Sequence, residues 1–99
     1  MSRIQHVVLF RWNADVAPEH VDATEAALAG LPAKVASIRS YRLGRNLGIN
    51  PGTFDYVVIA EFDNVDGYLA YRDHPDHKAF IATYTADFVT ERAAIQIEI

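Results

Sequence analysis

Cysteine is absent from this chain, which leaves it no disulfide framework, no thiol nucleophile and no thiolate metal site, and no positive sign of export. Basic charge is scarce as well. Nine Lys and Arg against 13 Asp and Glu give a formal net charge of -4, whereas nucleic acid or an anionic membrane would call for a basic stripe to replace released counterions. Neither partner is expected. The apolar run from His6 to Phe10 is interrupted at Arg11, too short for a signal sequence or a membrane span, so the cytoplasm is the expected location. A glycine-rich phosphate loop, a nucleophile elbow and a dinucleotide fingerprint are also missing, and no cofactor is expected.

What remains is an ordinary folding composition, 51% apolar and 22% charged, in a length that suits one domain over residues 1–99. A chain this short buries only about two-thirds of its unfolded surface, so association with a partner is an early expectation. The only basic cluster, Arg39, Arg42 and Arg45, alternates with Tyr41, Leu43 and Leu47. It reads as the wet side of a strand, with anion binding the other reading.

Residues 4–12 alternate with apolar groups on both sides, Ile4, His6, Val8, Phe10 and Trp12 against Val7 and Leu9, which predicts a strand buried on two faces. Pro18 opens a helix carrying Val21, Leu28 and Leu31, and Gly30-Leu31-Pro32 is expected to end it. Ile38 to Leu47 predict a second strand with Tyr41, Leu43 and Leu47 on its apolar side, and the turn-rich residues 48–53 a hairpin into a third, Phe54 to Phe62. Asn64 to Asp73 predict a helix with Val65 and Leu69 inward. Pro75 breaks it, and a second helical piece places His77, Phe80, Ile81, Tyr84 and Phe88 on one face. The last strand is Arg92 to Ile99.

The order strand, helix, strand, strand, helix, strand is the split βαβ, or ferredoxin-like, α+β plan with a four-stranded antiparallel sheet. Its helices share one face of the sheet, which leaves Val7, Leu9, Val57 and Ile59 on the other, a larger apolar patch than monomers usually tolerate. Burying these four side chains gives on the order of 6 to 10 kcal/mol before association entropy is subtracted. A face-to-face homodimer is expected.

The chemistry-bearing residues gather in two segments, Gln5-His6-Val7-Val8-Leu9-Phe10 and Tyr71-Arg72-Asp73-His74-Pro75-Asp76-His77, and the proline break lets the second address one pocket from two helical pieces. His77 is either a base accepting a proton from an acidic carbon or phenol, or a core histidine satisfied by a carbonyl. Tyr71 either polarises a substrate carbonyl or packs as an aromatic with a wet tip. His6 reads as a hydrogen-bonding strand residue, His74 as the filler of the break and His20 as surface. His74, Asp76 and His77 sit too close along one helix start to face a single metal ion, and no metal is expected.

Taken together, His6-Val7-Val8-Leu9-Phe10, Leu31-Pro32, Gly44-Arg45-Asn46, Asp55-Tyr56, Glu61-Phe62 and the Tyr71–His77 segment resemble the stress-responsive A/B barrel family, the dimeric α/β-barrel or Dabb domain, over nearly the whole chain. The resemblance implies a ferredoxin-like protomer that pairs with its twin into a barrel, with a small apolar cavity between sheet and helices. In the polyketide-cyclase branch the histidine matching His77 is the general base, the tyrosine matching Tyr71 assists it, and the histidine matching His6 shares the pocket. For this chain it implies a cofactor-independent lyase or cyclase acting on a small polyketide-like or phenolic substrate, with His77 and Tyr71 catalytic. His6, Val8, Phe10, Val58, His74, Phe80, Tyr84 and Phe88 are then expected to hold a small apolar or aromatic ligand. Two alternatives stand beside it: a non-catalytic, stress-responsive dimer that binds a small ligand, and a cofactor-independent monooxygenase of the wider dimeric ferredoxin-like group. Glu91 and Ala93, near the last strand, depart from the bulky lining that a polyketide tail would want.

Overall fold

Alternation in Ile4–Trp12 becomes strand β1 in the computed structural model, which describes residues 3–99: Ile4, His6, Val8 and Phe10 are buried, while Val7 and Leu9 on the other face are half-buried. Helix α1 is Pro18–Lys34, β2 is Ser40–Arg45 and β3 is Tyr56–Phe62. Helices α2 (Val65–Asp73) and α3 (Pro75–Phe80) follow, then a π-helical turn over Ile81–Thr85 and β4, Val89–Glu98. The strands form one antiparallel sheet in the order β2-β3-β1-β4, the ferredoxin-like arrangement expected of this element order.

Register decides which side chains meet. Val7 pairs with Ile59 and Ile95, and Leu9 with Val57 and Ala93, so these six lie together on the face away from the helices. On the helix side His6 pairs with Ala60 and Gln96, and Phe10 with Tyr56 and Arg92. There Phe62, Ala60, Val58 and Tyr56 of β3 pack against Leu28, Leu31 and Val35 as the core.

Several boundaries differ from the sequence reading. Helix α1 runs through Gly30-Leu31-Pro32 to Lys34, because a proline three residues from the end removes only one intrahelical bond, and Val35 N–H closes the last turn on the Leu31 carbonyl at 2.9 Å. Strand β2 stops at Arg45, and Leu47 is 84% exposed in a loop turned by Gly48 and Gly52, both at positive φ (74° and 78°). Arg45 falls on the same side as Tyr41 and Leu43, where it is held by Asp22 and Glu25 of α1 at 2.9 Å each. The Tyr56 hydroxyl also donates to Glu25, at 2.9 Å, so this corner clasps helix to sheet. Val65 is 56% exposed, since at the first position of α2 it precedes the inward stripe of Tyr68 and Tyr71. Strand β3 begins two residues later than expected, and β4 three residues earlier, with a register shift opposite Arg11 and Trp12.

Candidate functional site

A cavity of about 350 Å³ opens between the sheet and the α3–π segment. Its apolar wall is Val8, Phe10, Val58, Leu28, Phe80 and Ile81. Polar groups reach it from five elements: His6 from β1, Tyr71 from α2, His77 from α3, Thr85 from the π turn and Arg92 from β4. A wider hollow of about 530 Å³ lies by the exposed sheet face, bounded by Leu9, Val57, Gly44 and the turn at Gly52–Phe54, and its lining includes no histidine or carboxylate.

The break at Pro75 delivers two of these groups. His74 takes an extended conformation (φ -63°, ψ 135°), ending α2 and starting α3, and its Nδ1 accepts from the Asp76 backbone N–H at 3.1 Å. The chain direction changes there, and the Tyr71 and His77 rings pack together with centroids 4.1 Å apart and planes tilted by 31°. The π turn completes the wall: Ala86 N–H reaches five residues back to the Ile81 carbonyl (2.9 Å), and the Thr85 hydroxyl donates to the same oxygen (3.2 Å).

Hydrogen bonds fix the two imidazoles in opposite tautomers. The Arg72 carbonyl can only accept, so His77 Nδ1 donates to it (3.1 Å) and Nε2 keeps its lone pair. At His6 the Gln96 amide donates to Nδ1 (2.9 Å), which places the ring proton on Nε2. Burial is the main cause that lowers the His6 pKa, to about 4, with help from the charges of Arg92 and His77. His77 is lowered too, by burial first, with Arg92 and His74 adding to it and the Arg72 carbonyl opposing. Both rings are neutral at pH 7. The Tyr71 hydroxyl meets that of Tyr41 at 2.8 Å, and burial raises the pKa of both phenols, which keeps them protonated donors.

The sequence reading and this geometry coincide at His6, Val8, Phe10, Val58, Tyr71, His77 and Phe80, all of which line the cavity. His74, Tyr84 and Phe88 do not line it. His74 caps the break; Tyr84 stacks on Phe80 (5.4 Å); and Phe88 stacks on His20 at 3.6 Å. His20 is therefore no free surface residue, and its Nε2 also donates to the Tyr84 carbonyl at 2.8 Å. The π turn explains the swap: it adds a residue to the period, so Thr85 takes the inward place that a 3.6-residue count gives to Tyr84. Arg92 and Tyr41 went unread as site residues, as did Thr85 and Ile81 as a lining. At the last strand the pocket meets Arg92 rather than Ala93, which faces the other way, while Glu91 is tied to Arg11 at 2.8 Å.

The buried, neutral histidine has a consequence for stability. The folded-state pKa of His6, about 4, lies below the unfolded value of 6.5, so the unfolded chain binds more protons and stability falls as pH drops through that window. His6 alone should cost about 2 kcal/mol at pH 5 relative to pH 8, with His77 acting in the same direction. Urea unfolding at fixed protein concentration is expected to show that decline, and His6→Phe to flatten most of it; an equally steep decline in the variant would assign it elsewhere.

Among solved structures, the chain resembles a dimeric ferredoxin-like protein of unknown function from Thermobifida fusca, with a TM-score of 0.91 and 40% identity over 99% of this chain and 92% of that one. A hydroxynitrile lyase from Passiflora edulis shares the fold, with a TM-score of 0.87 over 98% of this chain and 93% of that one, at 17% identity. A stress-response A/B barrel domain-containing protein of Arabidopsis thaliana is 28% identical over 89 residues, 86% of this chain and 77% of its own length. The sequence model of the stress responsive A/B barrel domain, Dabb, matches residues 4–99, and the chain belongs to that family.

Proposed function

We propose that the protein is a homodimer in which each protomer uses the cavity at His77 for cofactor-independent acid–base chemistry, as a lyase or cyclase acting on a small polyketide-like or phenolic substrate. The observation that carries this reading is the pair of neutral imidazoles in opposite tautomers on one largely apolar cavity. His77 Nε2 accepts a proton from an acidic carbon or hydroxyl. His6 Nε2–H and the Tyr71 hydroxyl donate to the oxygen on which negative charge then develops, where the largely apolar wall strengthens such bonds. The carbanion or alkoxide so formed closes a ring on a second carbonyl or breaks a carbon–carbon bond, and the proton returns from His77. The homodimer is supported by the bare apolar face of the sheet and by the dimeric Thermobifida fusca relative. The lyase class is supported by the hydroxynitrile lyase that shares the fold.

The test is a screen of linear β-ketones, phenolic acids and an aromatic cyanohydrin, followed by mass spectrometry for ring closure or carbon–carbon cleavage. Turnover is expected to survive dialysis against a chelator. Ligands that bind without any turnover would instead make this cavity a binding site in a non-catalytic dimer.

A further inference from the structure

Resting on the reading that this cavity is the working site, we propose that its ligand is a small aromatic or unsaturated carboxylate, with Arg92 as the anchor for the anionic end. Pairing of Arg92 with Phe10 across the β1–β4 register turns it to the helix side, where it lines the cavity. Its charge has no partner there. Arg3, Arg11, Arg39, Arg45 and Arg72 each hold a carboxylate, whereas Arg92 on the cavity and Arg42 on the open face make no ion pair among the described residues, and the cavity lining includes no Asp or Glu. The neighbouring carboxylate, Glu91, points to the other face and is taken by Arg11.

Arg92 is solvent-exposed where it borders the apolar cavity, so its guanidinium is open to an anion arriving from outside, and its planar fork matches a carboxylate at two points. The rest of the wall selects the body of that ligand. Val8, Phe10, Val58 and Phe80 offer apolar and aromatic surface but no further charge, so a flat ring system fits with its carboxylate at the Arg92 end. The field of Arg92 already reaches both imidazoles, helping to hold each of them neutral. A carboxylate seated on it lies within reach of the proton chemistry without competing for the same donors.

Calorimetric titration with 2-naphthoate and its neutral isostere 2-naphthamide tests this on the intact protein. Wild type is expected to bind the carboxylate at least about tenfold more tightly than the amide, a preference that Arg92→Gln removes and Arg92→Lys restores in part. Binding of naphthoate should shift the ring resonances of His6 and His77 in the nuclear magnetic resonance spectrum. Equal affinity for acid and amide, unchanged in Arg92→Gln, would overturn the anchor and leave the cavity reading intact, provided the imidazole signals move. Naphthoate binding that leaves those signals unmoved would overturn the proposal, and a wild type that binds neither compound would overturn it together with the cavity reading.

Discussion

Replacing His77 by alanine is expected to lower kcat/KM by a factor of about 10² to 10⁴ on any substrate the protein turns over, the usual contribution of a positioned base. The ring packs on Tyr71 with centroids 4.1 Å apart, so the alanine variant also loosens a neighbour, and a second variant separates the two effects. His77→Gln keeps an N–H for the Arg72 carbonyl but has no basic nitrogen, and it should be nearly as slow as alanine. Added imidazole should recover part of the rate in the alanine variant, where there is room for it. Tyr71→Phe removes one hydroxyl from a pair and should cost less. In wild type the acidic limb of kcat/KM is expected below pH 6.5, because burial and Arg92 hold the His77 pKa down, and Arg92→Gln should move that limb upward. Wild-type rates in both His77 variants would show that the base lies elsewhere.

The difference between what could be read from the residues and what could not follows the range of the interactions. Strands β1 and β3 declare themselves because apolar alternation over seven or more residues is a local signal. The break at Pro75 does so because proline acts on its own neighbours, and with it came Tyr71 and His77 at one cavity. Arg92 was hidden, since β4 sets Ala93, Ile95 and Ile97 against Arg92, Ala94, Gln96 and Glu98, a pattern that reads the arginine as facing solvent, and only the pairing with Phe10 tells that its side is the one the helices share. Tyr84 and Phe88 were misplaced for a subtler reason. Helical spacing assumes 3.6 residues per turn, and nothing in Ile81-Ala82-Thr83-Tyr84-Thr85 announces the wider π turn that carries Thr85 inward instead. Leu47 is apolar yet exposed because the glycines after it turn the loop away from the sheet.

Val57→Asp is expected to convert the dimer to monomers at micromolar concentration. Val57 sits on the face of the sheet that no helix covers, with Leu9 and Gly44 directly across from it, so a carboxylate there has no cation in its own cross-strand pair, and Arg11 and Arg42 stand only at diagonal positions. Ile59 is a poorer probe, because Arg42 lies directly across from it and would pair with an aspartate. The patch is broader than β1 and β3 alone supply: the β4 register adds Ala93 and the 58% exposed Ile95 to Val7, Leu9, Val57 and Ile59. A twofold interface repeats every substitution, and each uncompensated buried charge costs about 3 to 5 kcal/mol, so the variant dimer should weaken by a factor of at least about 10³. Sedimentation and far-ultraviolet circular dichroism read the outcome together, since the β1–β3 core on the other face, with Val58 and Phe62, is untouched. Loss of the dimer with secondary structure retained places the interface on this face; loss of both means that the protomer depends on its twin to stay folded; and a wild type that sediments as a stable monomer removes the homodimer altogether.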